Sequence, residues 1–211
     1  MCNVSSITNN HIMAGTYGLV VCGGFSSRMG ADKGLLIYYG KPQRYHLYEM
    51  LELFCEKVFI SCRAEQANSI GIGYNILTDH ASYSNIGPMA ALLSAFTRFP
   101  KKNILLVGCD YPFLTPTDLQ EFLPACREEN LAISFYNTKE DLYEPVLAWY
   151  HHSSFDLLKK MHASKQYSLQ QFLRNNEGTK YYPGNQNSME SVDTREAYVT
   201  AYNLIKWNTG S

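Results

Sequence analysis

The fold is indicated first by the segment Leu19-Val20-Val21-Cys22-Gly23-Gly24-Phe25-Ser26-Ser27-Arg28-Met29-Gly30-Ala31-Asp32-Lys33. Its first four residues form a short apolar run that two adjacent glycines end, a pattern typical of a buried parallel strand leaving a sheet. Ligands of α/β proteins often bind where such a strand ends. We therefore expect a strand at 19–22 followed by a binding loop.

Strand and helix patterns alternate along the rest of the chain. Because parallel strands need crossover helices, this alternation predicts a doubly wound, mostly parallel α/β sheet with helices on both faces. A polar segment too short for a crossover precedes 145–149, so that strand is expected to be antiparallel. The predicted helices are 43–54, 89–99, 116–129, 153–161, 168–174 and 194–207, and the further strands are 57–61, 74–77, 104–107, 131–135, 145–149 and 180–182.

Composition fits one globular domain over residues 1–211, with 1–16 as a loose N-terminal extension. The chain has 211 residues, 45% hydrophobic and 18% charged, and its net charge of -1 gives no reason to expect a nucleic-acid surface. No apolar run approaches the ~20 residues that cross a bilayer, and the start lacks a signal-peptide pattern. Six cysteines without a CxxC pair favour reduced thiols. We expect a cytoplasmic protein without nucleic-acid or membrane partners.

The loop after the first strand carries donors suited to phosphate. Gly23 and Gly24 allow close backbone approach with exposed N–H groups, and Arg28 and Lys33 add two cations. The loop lacks both the GxxxxGK[ST] and the GxGxxG fingerprint, which disfavours a P-loop NTPase and a nicotinamide dehydrogenase. A solvated surface loop with scattered charges is the alternative.

Two aspartates follow predicted strands. Asp110 comes directly after 104–109, where one carboxylate with substrate phosphates could hold Mg²⁺, or where it could cap the turn before Pro112. Asp79 follows 74–77 and is equally compatible with a binding or a turn role. Gly87 and Pro88 are typical of a helix start.

The pattern Gly-Gly-x-Ser-x-Arg-Met-Gly-x-Asp-Lys after a strand resembles the signature loop of the Rossmann-like nucleotidyltransferases. The similarity continues through Gly40-Lys41-Pro42, Cys109 to Leu114, Glu144-Pro145 and, weakly, Val192 to Glu196, so it covers nearly the whole chain in order. The glycine pair is similar to the molybdenum cofactor guanylyltransferases, whereas many pyrimidine-using relatives carry Ala-Gly there. The resemblance implies a three-layer α/β/α nucleotidyltransferase fold.

The resemblance also implies site residues. Arg28, Lys33 and Asp110 would be catalytic, and Asp110 and Asp193 would be metal ligands for Mg²⁺. The implied nucleotide-binding residues are Cys22, Gly23, Gly24, Ser26, Arg28, Lys33, Cys62, Asp79, Gly87 and Asp110.

The chain departs from the family pattern at two places. Cys62 stands where guanylyltransferases often carry Asn, and Ser191-Val192-Asp193-Thr194 replaces an Asn-x-Asn-Thr motif. The first change puts a contact to the base or ribose in question. The second leaves Asp193 able to meet a metal but weakens the match at Ser191.

The resemblance predicts transfer of GMP from GTP to the phosphate of molybdenum-molybdopterin, with release of pyrophosphate. The expected partners are GTP, this phosphorylated acceptor and a protein that delivers the cofactor. Two alternatives remain: cytidylyl transfer to molybdopterin or another phosphorylated small molecule, and nucleotide binding without catalysis in cofactor assembly.

Overall fold

The computed structural model describes residues 12–22 and 32–209. Seven strands within these residues form one sheet with the order β3-β2-β1-β4-β6-β5-β7. Only β6 is antiparallel to its neighbours, β4 and β5, and the other pairs are parallel. The strands are β1 (Met13–Val21), β2 (Cys55–Cys62), β3 (Ile76–Thr78), β4 (Asn103–Gly108), β5 (Ala132–Asn137), β6 (Leu142–Tyr150) and β7 (Thr179–Tyr181).

Helices cover both faces of the sheet, which confirms the three-layer prediction. The helices are α1 (Gln43–Glu52), α2 (Pro88–Arg98), α3 (Pro116–Phe122), α4 (Ser154–Ala163), α5 (Leu169–Asn175) and α6 (Arg195–Thr209). One core cluster joins α1 and α3 to the sheet, and a second joins α2, α4 and α5. Along β1, Val20 packs into the first cluster and Leu19 into the second, as the alternation of side chains along a strand requires.

The central strands are buried on both faces. Every residue of β4 is buried, and Leu19 and Val20 of β1 are at most 1% exposed. Continuous aliphatic runs are what a parallel strand covered by helices on both sides needs, because neither face meets water. The sheet therefore holds the carboxyl ends of β1 and β4 rigidly side by side, with Val21 paired to Gly108.

The largest boundary differences from the sequence predictions are the end of α3 and the start of β1. The helix predicted over 116–129 ends at Phe122, because Pro124 has no N–H with which to continue the backbone hydrogen bonds of the helix. A short 3-10 turn, Leu123–Ala125, follows instead. β1 begins at Met13, so residues 13–16, assigned above to the loose extension, belong to the sheet. Residues 1–11 lie outside the described part.

The final helix, α6, packs outside the two main layers. Ala201 and Ile205 of α6 form a small third cluster with Tyr38 and Val192. No helix in the described residues combines the length and the apolar content needed to cross a bilayer.

Candidate active site

Lys33 lies at the start of a short 3-10 turn, Lys33–Leu35, beside the carboxyl ends of β1 and β4. Asp32 caps this turn, since its Oδ1 accepts a hydrogen bond from the Gly34 N–H at 2.9 Å. The cap fixes where the Lys33 side chain leaves the backbone. That side chain is 10% exposed, so its ammonium group lies within the protein surface.

The Lys33 ammonium meets two carboxylates. Its Nζ donates a hydrogen bond to Asp193 Oδ1 and lies 3.8 Å from Asp110 Oδ2. The structure thus brings together three of the predicted site residues from three distant parts of the chain. Their catalytic and metal-binding roles remain predictions.

Asp110 is anchored through its backbone to the Asp193 segment. The Val192 N–H donates to the Asp110 carbonyl at 2.8 Å. Burial raises the pKa of the Asp110 carboxyl, the Lys33 ammonium opposes this shift, and the Asp193 carboxylate adds to it. A cation beside both carboxylates would relieve their repulsion, and carboxylate oxygens are the ligands that Mg²⁺ prefers.

Gly108 leaves room for the Asp110 side chain. A Cβ added at Gly108 would clash with Asp110 Oδ1 and lie 3.1 Å from Val146 Cγ2. Both neighbours are held in place, Val146 by β6 and Asp110 by its turn. The last residue of β4 must therefore be small for Asp110 to point toward Lys33.

The two thiols beneath this turn are free. Cys22 Sγ and Cys109 Sγ lie 3.7 Å apart, and none of the five cysteines in the described residues forms a disulfide. A hydrogen bond with Cys22, together with burial, raises the pKa of the Cys109 thiol well above its usual range. These groups serve as core packing below the site.

Lys33, Asp110 and Asp193 together form what we call the charged cluster. A cleft of about 250 Å³ opens beside it, and we call this cleft the β1–β2 cleft. It lies at the carboxyl ends of β1 and β2 and reaches the start of α2. Gln66 links it to the Lys33 turn, because its Nε2 donates to Asp32 Oδ2 at 3.3 Å. The lining residues include Cys22, Ser61, Cys62, Arg63, Gln66, Asp79, Asn85 and Gly87.

Asp79 lines the β1–β2 cleft and has one carboxylate oxygen without a hydrogen-bond partner in the described residues. This oxygen, Oδ1, is buried. Burial raises the pKa of the Asp79 carboxyl, and Ser61 and Arg63 oppose the shift. A buried carboxylate oxygen without a donor is costly in its charged form, which agrees with the raised pKa.

Gly87 lets the chain turn sharply into α2. Its φ of 66° and ψ of -150° belong to a region that essentially only glycine adopts. Pro88 then occupies the first helical turn, as predicted. The N-terminal end of α2 consequently forms one wall of the β1–β2 cleft.

A second, polar cleft of about 330 Å³ lies at the hairpin between β5 and β6, and we call it the hairpin cleft. Glu144 lines it and accepts a hydrogen bond from Tyr111 Oη at 2.7 Å, next to Asp110. Ser191 lines it from the other side, two residues before Asp193. Burial raises the pKa of the Glu144 carboxyl.

The structure brings most of the predicted positions into this region. Cys22, Cys62, Asp79 and Gly87 line the β1–β2 cleft, while Lys33 and Asp110 lie in the adjacent charged cluster. Four predicted positions lie outside the described residues: Gly23, Gly24, Ser26 and Arg28.

Sequence reasoning missed several cleft residues. Ser61, Gln66 and Asn85 line the β1–β2 cleft but follow no motif or spacing. The pairing of Tyr111 with Glu144 also had no local signal, since 33 residues separate them. A sequence hint existed only for Asn85, because asparagine favours the left-handed conformation it adopts, with φ of 62°.

A family model described as the MobA-like NTP transferase domain matches residues 18–180. The chain therefore belongs to this family. The MobA-like family is one of nucleotidyltransferase enzymes, and the match spans β1 through β7.

Curated relatives of this MobA-like chain agree. It is 30% identical to a molybdenum cofactor guanylyltransferase of Shewanella frigidimarina over 74% of this chain and 73% of that protein. It is 31% identical to a molybdenum cofactor biosynthesis bifunctional protein of Synechocystis over 68% of this chain, but spans only 41% of that relative.

A solved structure shows the same fold. The crystal structure of molybdopterin-guanine dinucleotide biosynthesis protein A from Archaeoglobus fulgidus aligns with a TM-score of 0.72 and 20% identity. The alignment covers 91% of this chain and 100% of that structure. The MobA-like domain thus has the sheet order and layers of a nucleotidyltransferase.

Proposed function

We propose that this protein transfers GMP from GTP to the terminal phosphate of molybdenum-molybdopterin, giving the guanine dinucleotide form of the cofactor and pyrophosphate. The proposal depends on one observation: Lys33 contacts both Asp110 and Asp193 at the carboxyl ends of the parallel strands. One cation and two carboxylates beside a cleft are the groups that a triphosphate with its metal ion requires.

Asp110 and Asp193 are the residues that would hold Mg²⁺. Both offer hard oxygen ligands, and the burial that raises the pKa of Asp110 is offset when a cation lies beside it. When bound, the ion would neutralise phosphate charge at the reacting centre.

The reaction is a displacement at the α-phosphorus of GTP. An oxygen of the acceptor phosphate forms the new P–O bond, the bond to the β-phosphate breaks, and pyrophosphate leaves with the electron pair. Lys33 would stabilise the negative charge that grows on the departing pyrophosphate. The polypeptide forms no covalent bond with the nucleotide, so its contribution is positioning and charge neutralisation.

The β1–β2 cleft is the proposed site for guanine and ribose. The buried acceptor on Asp79 suits the N–H groups of a guanine edge or a ribose hydroxyl. Cys62, in place of Asn, offers only a weak donor there, so Asp79 would carry more of the recognition. Gly23 and Gly24, which follow Cys22 directly, are expected to lie against the base.

The hairpin cleft is the proposed site for the pterin end of the acceptor. Its carboxylates Glu140, Glu144 and Glu190 outnumber its one lysine, Lys139. Carboxylates accept hydrogen bonds from the ring N–H groups of an aminopyrimidinone, as in a pterin. Glu144 is hydrogen-bonded to Tyr111, and Asp110 directly precedes Tyr111. An acceptor in the hairpin cleft would therefore extend toward the charged cluster.

A direct assay tests the reaction. We expect pyrophosphate release with GTP, Mg²⁺ and molybdenum-molybdopterin, and GTP but not CTP should raise the melting temperature. Release with CTP instead of GTP would make the protein a cytidylyltransferase. Binding of GTP without pyrophosphate release would make it a non-catalytic nucleotide-binding protein.

The Lys33→Ala variant tests the role of the charged cluster. Loss of one charged contact to a transferring phosphoryl group is expected to reduce kcat by about a hundredfold or more. Lys101→Ala, which changes an exposed lysine after α2, is the matched control. Circular dichroism should show both variants folded, and full activity in Lys33→Ala would contradict the proposed role.

A further inference from the structure

A second cluster of side chains that could bind a metal lies at the other end of the central strands, away from Asp110. His151 and His152 follow the end of β6, and Glu128 lies in the turn before β5. All three lie around Asn103, the first residue of β4. Asp110 lies just beyond Gly108, the last residue of that strand. With about 3.3 Å per strand residue, β4 separates the two places by about 20 Å.

One ligand atom from each of Glu128, His151 and His152 lies within 4.8 Å of the others. His151 Nε2 is 2.8 Å from Glu128 Oε2, and the imidazole rings of His151 and His152 have centroids 4.0 Å apart. Bonds of about 2.0–2.2 Å from Zn²⁺ to these atoms require only small side-chain adjustments. Two imidazoles and one carboxylate are a set found in zinc sites.

Outer hydrogen bonds orient all three side chains. His151 Nδ1 lies 2.7 Å from Ser153 Oγ. The Asn103 amide touches the other two: its Nδ2 donates to Glu128 Oε1 at 3.2 Å, and its Oδ1 lies 3.1 Å from His152 Nδ1. Histidines that bind metals usually hold their second nitrogen in such a contact.

We propose that Glu128, His151 and His152 form a binding site for a divalent transition-metal ion of the Zn²⁺ class. The imidazole nitrogens favour such an ion over Mg²⁺, which prefers oxygen ligands. The Glu128 side chain is 76% exposed, so the ion has a path from solvent. Three protein ligands leave a fourth position for water.

At His151, Nε2 is the nitrogen that would meet the ion, because it lies 2.8 Å from Glu128 Oε2. Nδ1 would then carry the ring proton and donate it to Ser153 Oγ, which lies 2.7 Å away.

The site is tested by titrating the purified full chain with Zn²⁺ against a chromophoric chelator, in excess Mg²⁺ to occupy hard-cation sites. We expect one saturable Zn²⁺ site and a higher melting temperature with Zn²⁺. His152→Ala and Glu128→Gln should weaken binding at least about tenfold. Glu129→Gln, in the same turn and also exposed, is the matched control and should bind like the unmodified protein.

Cobalt substitution separates this site from the cysteines. Co²⁺ bound by nitrogen and oxygen gives d–d absorption without a thiolate charge-transfer band, and His151→Ala should remove that absorption. If the His151→Ala variant fails to fold because His151 is buried, the Zn²⁺ affinities of the His152→Ala and Glu128→Gln variants still test the site. A thiolate band, absence of saturable Zn²⁺ binding, or equal affinity in the His152 and Glu128 variants would overturn the proposal.

Discussion

Lys33 contacts two carboxylates in the structure, and in the proposed complex with GTP it would contact phosphate instead. In the structure its ammonium pairs with Asp110, which is partly buried, and with Asp193, which is exposed, so the partly buried carboxylate is not left without a cation. The three charges sum to minus one, which favours a further cation. A metal ion with a triphosphate would then let Lys33 turn from the carboxylates to phosphate oxygens.

Gly108→Ala is expected to impair catalysis more than folding. The added methyl would push the Asp110 side chain away from Lys33, and a displacement of about 1 Å can cost about a hundredfold in rate. We expect kcat/KM for GTP to fall accordingly in the pyrophosphate assay. Gly184→Ala, whose nearest contact would be Glu121 at 3.8 Å, is the control and should remain active.

Asp79→Asn is expected to stabilise the fold at neutral pH and to weaken GTP binding. Because burial raises the pKa of Asp79, the folded state holds this proton more tightly than the unfolded chain. Its contribution to stability therefore falls as pH rises from the ordinary pKa of 3.8 through the raised value. The neutral amide removes that cost.

Thermal unfolding checks the first part of this expectation. The melting temperature of Asp79→Asn should exceed that of the unmodified protein at pH 7, and the difference should vanish below the ordinary pKa. The loss of a charged acceptor should raise KM for GTP by about tenfold or more. A lower melting temperature at pH 7 would show that the carboxylate is satisfied by the protein itself.

At the scale of elements, α3 begins with a reciprocal cap. Thr115 Oγ1 accepts from the Asp118 N–H at 3.2 Å, and Asp118 Oδ2 accepts from the Thr115 N–H at 2.8 Å. Thr115→Ala should lower the free energy of unfolding by about 0.5–2 kcal/mol, because one orphan N–H loses its partner. Urea unfolding measures this, and Thr117→Ala on the exposed face of α3 should change it far less.

The elements that sequence could predict are those with a continuous or periodic apolar pattern. The runs that form β4 and the carboxyl-terminal end of β1 were located correctly because burial on both faces demands them. The predicted end of α3 lies too far along the chain, because the helical spacing of its apolar residues continues to Phe122 and the effect of Pro124 was not included. The start of β1 was missed because Met13 to Thr16 are held by pairing with β2 and β4, not by their own apolar pattern.

For the site, strand ends predicted which residues lie close together, whereas the roles of these residues stay predictions. Lys33 and Asp110 follow β1 and β4, whose pairing brings their ends together, so their proximity follows from topology. The space that Gly108 leaves and the buried oxygen of Asp79 depend on side chains from other elements. Such features have no counterpart in a local pattern.

At the scale of the whole molecule, α6 packs against Tyr38 and Val192 in the third cluster, apart from the two main core clusters. Ile205 is 4% exposed in the third cluster, so Ile205→Ala should lower the free energy of unfolding by about 2–5 kcal/mol. Trp207→Ala removes a larger side chain that is 86% exposed and should have little effect. Equal losses in the two variants would show that α6 contributes through its outer surface instead.

The reversal of β6 has a consequence for how such a protein can diversify. Because β6 runs against β4, its beginning, and the hairpin of residues 137–142 before it, lies on the same rim as Asp110. A hairpin tip tolerates insertion and exchange far better than a crossover does. Under the proposed function, changes in this hairpin could alter which acceptor binds without changing the residues that would hold the triphosphate.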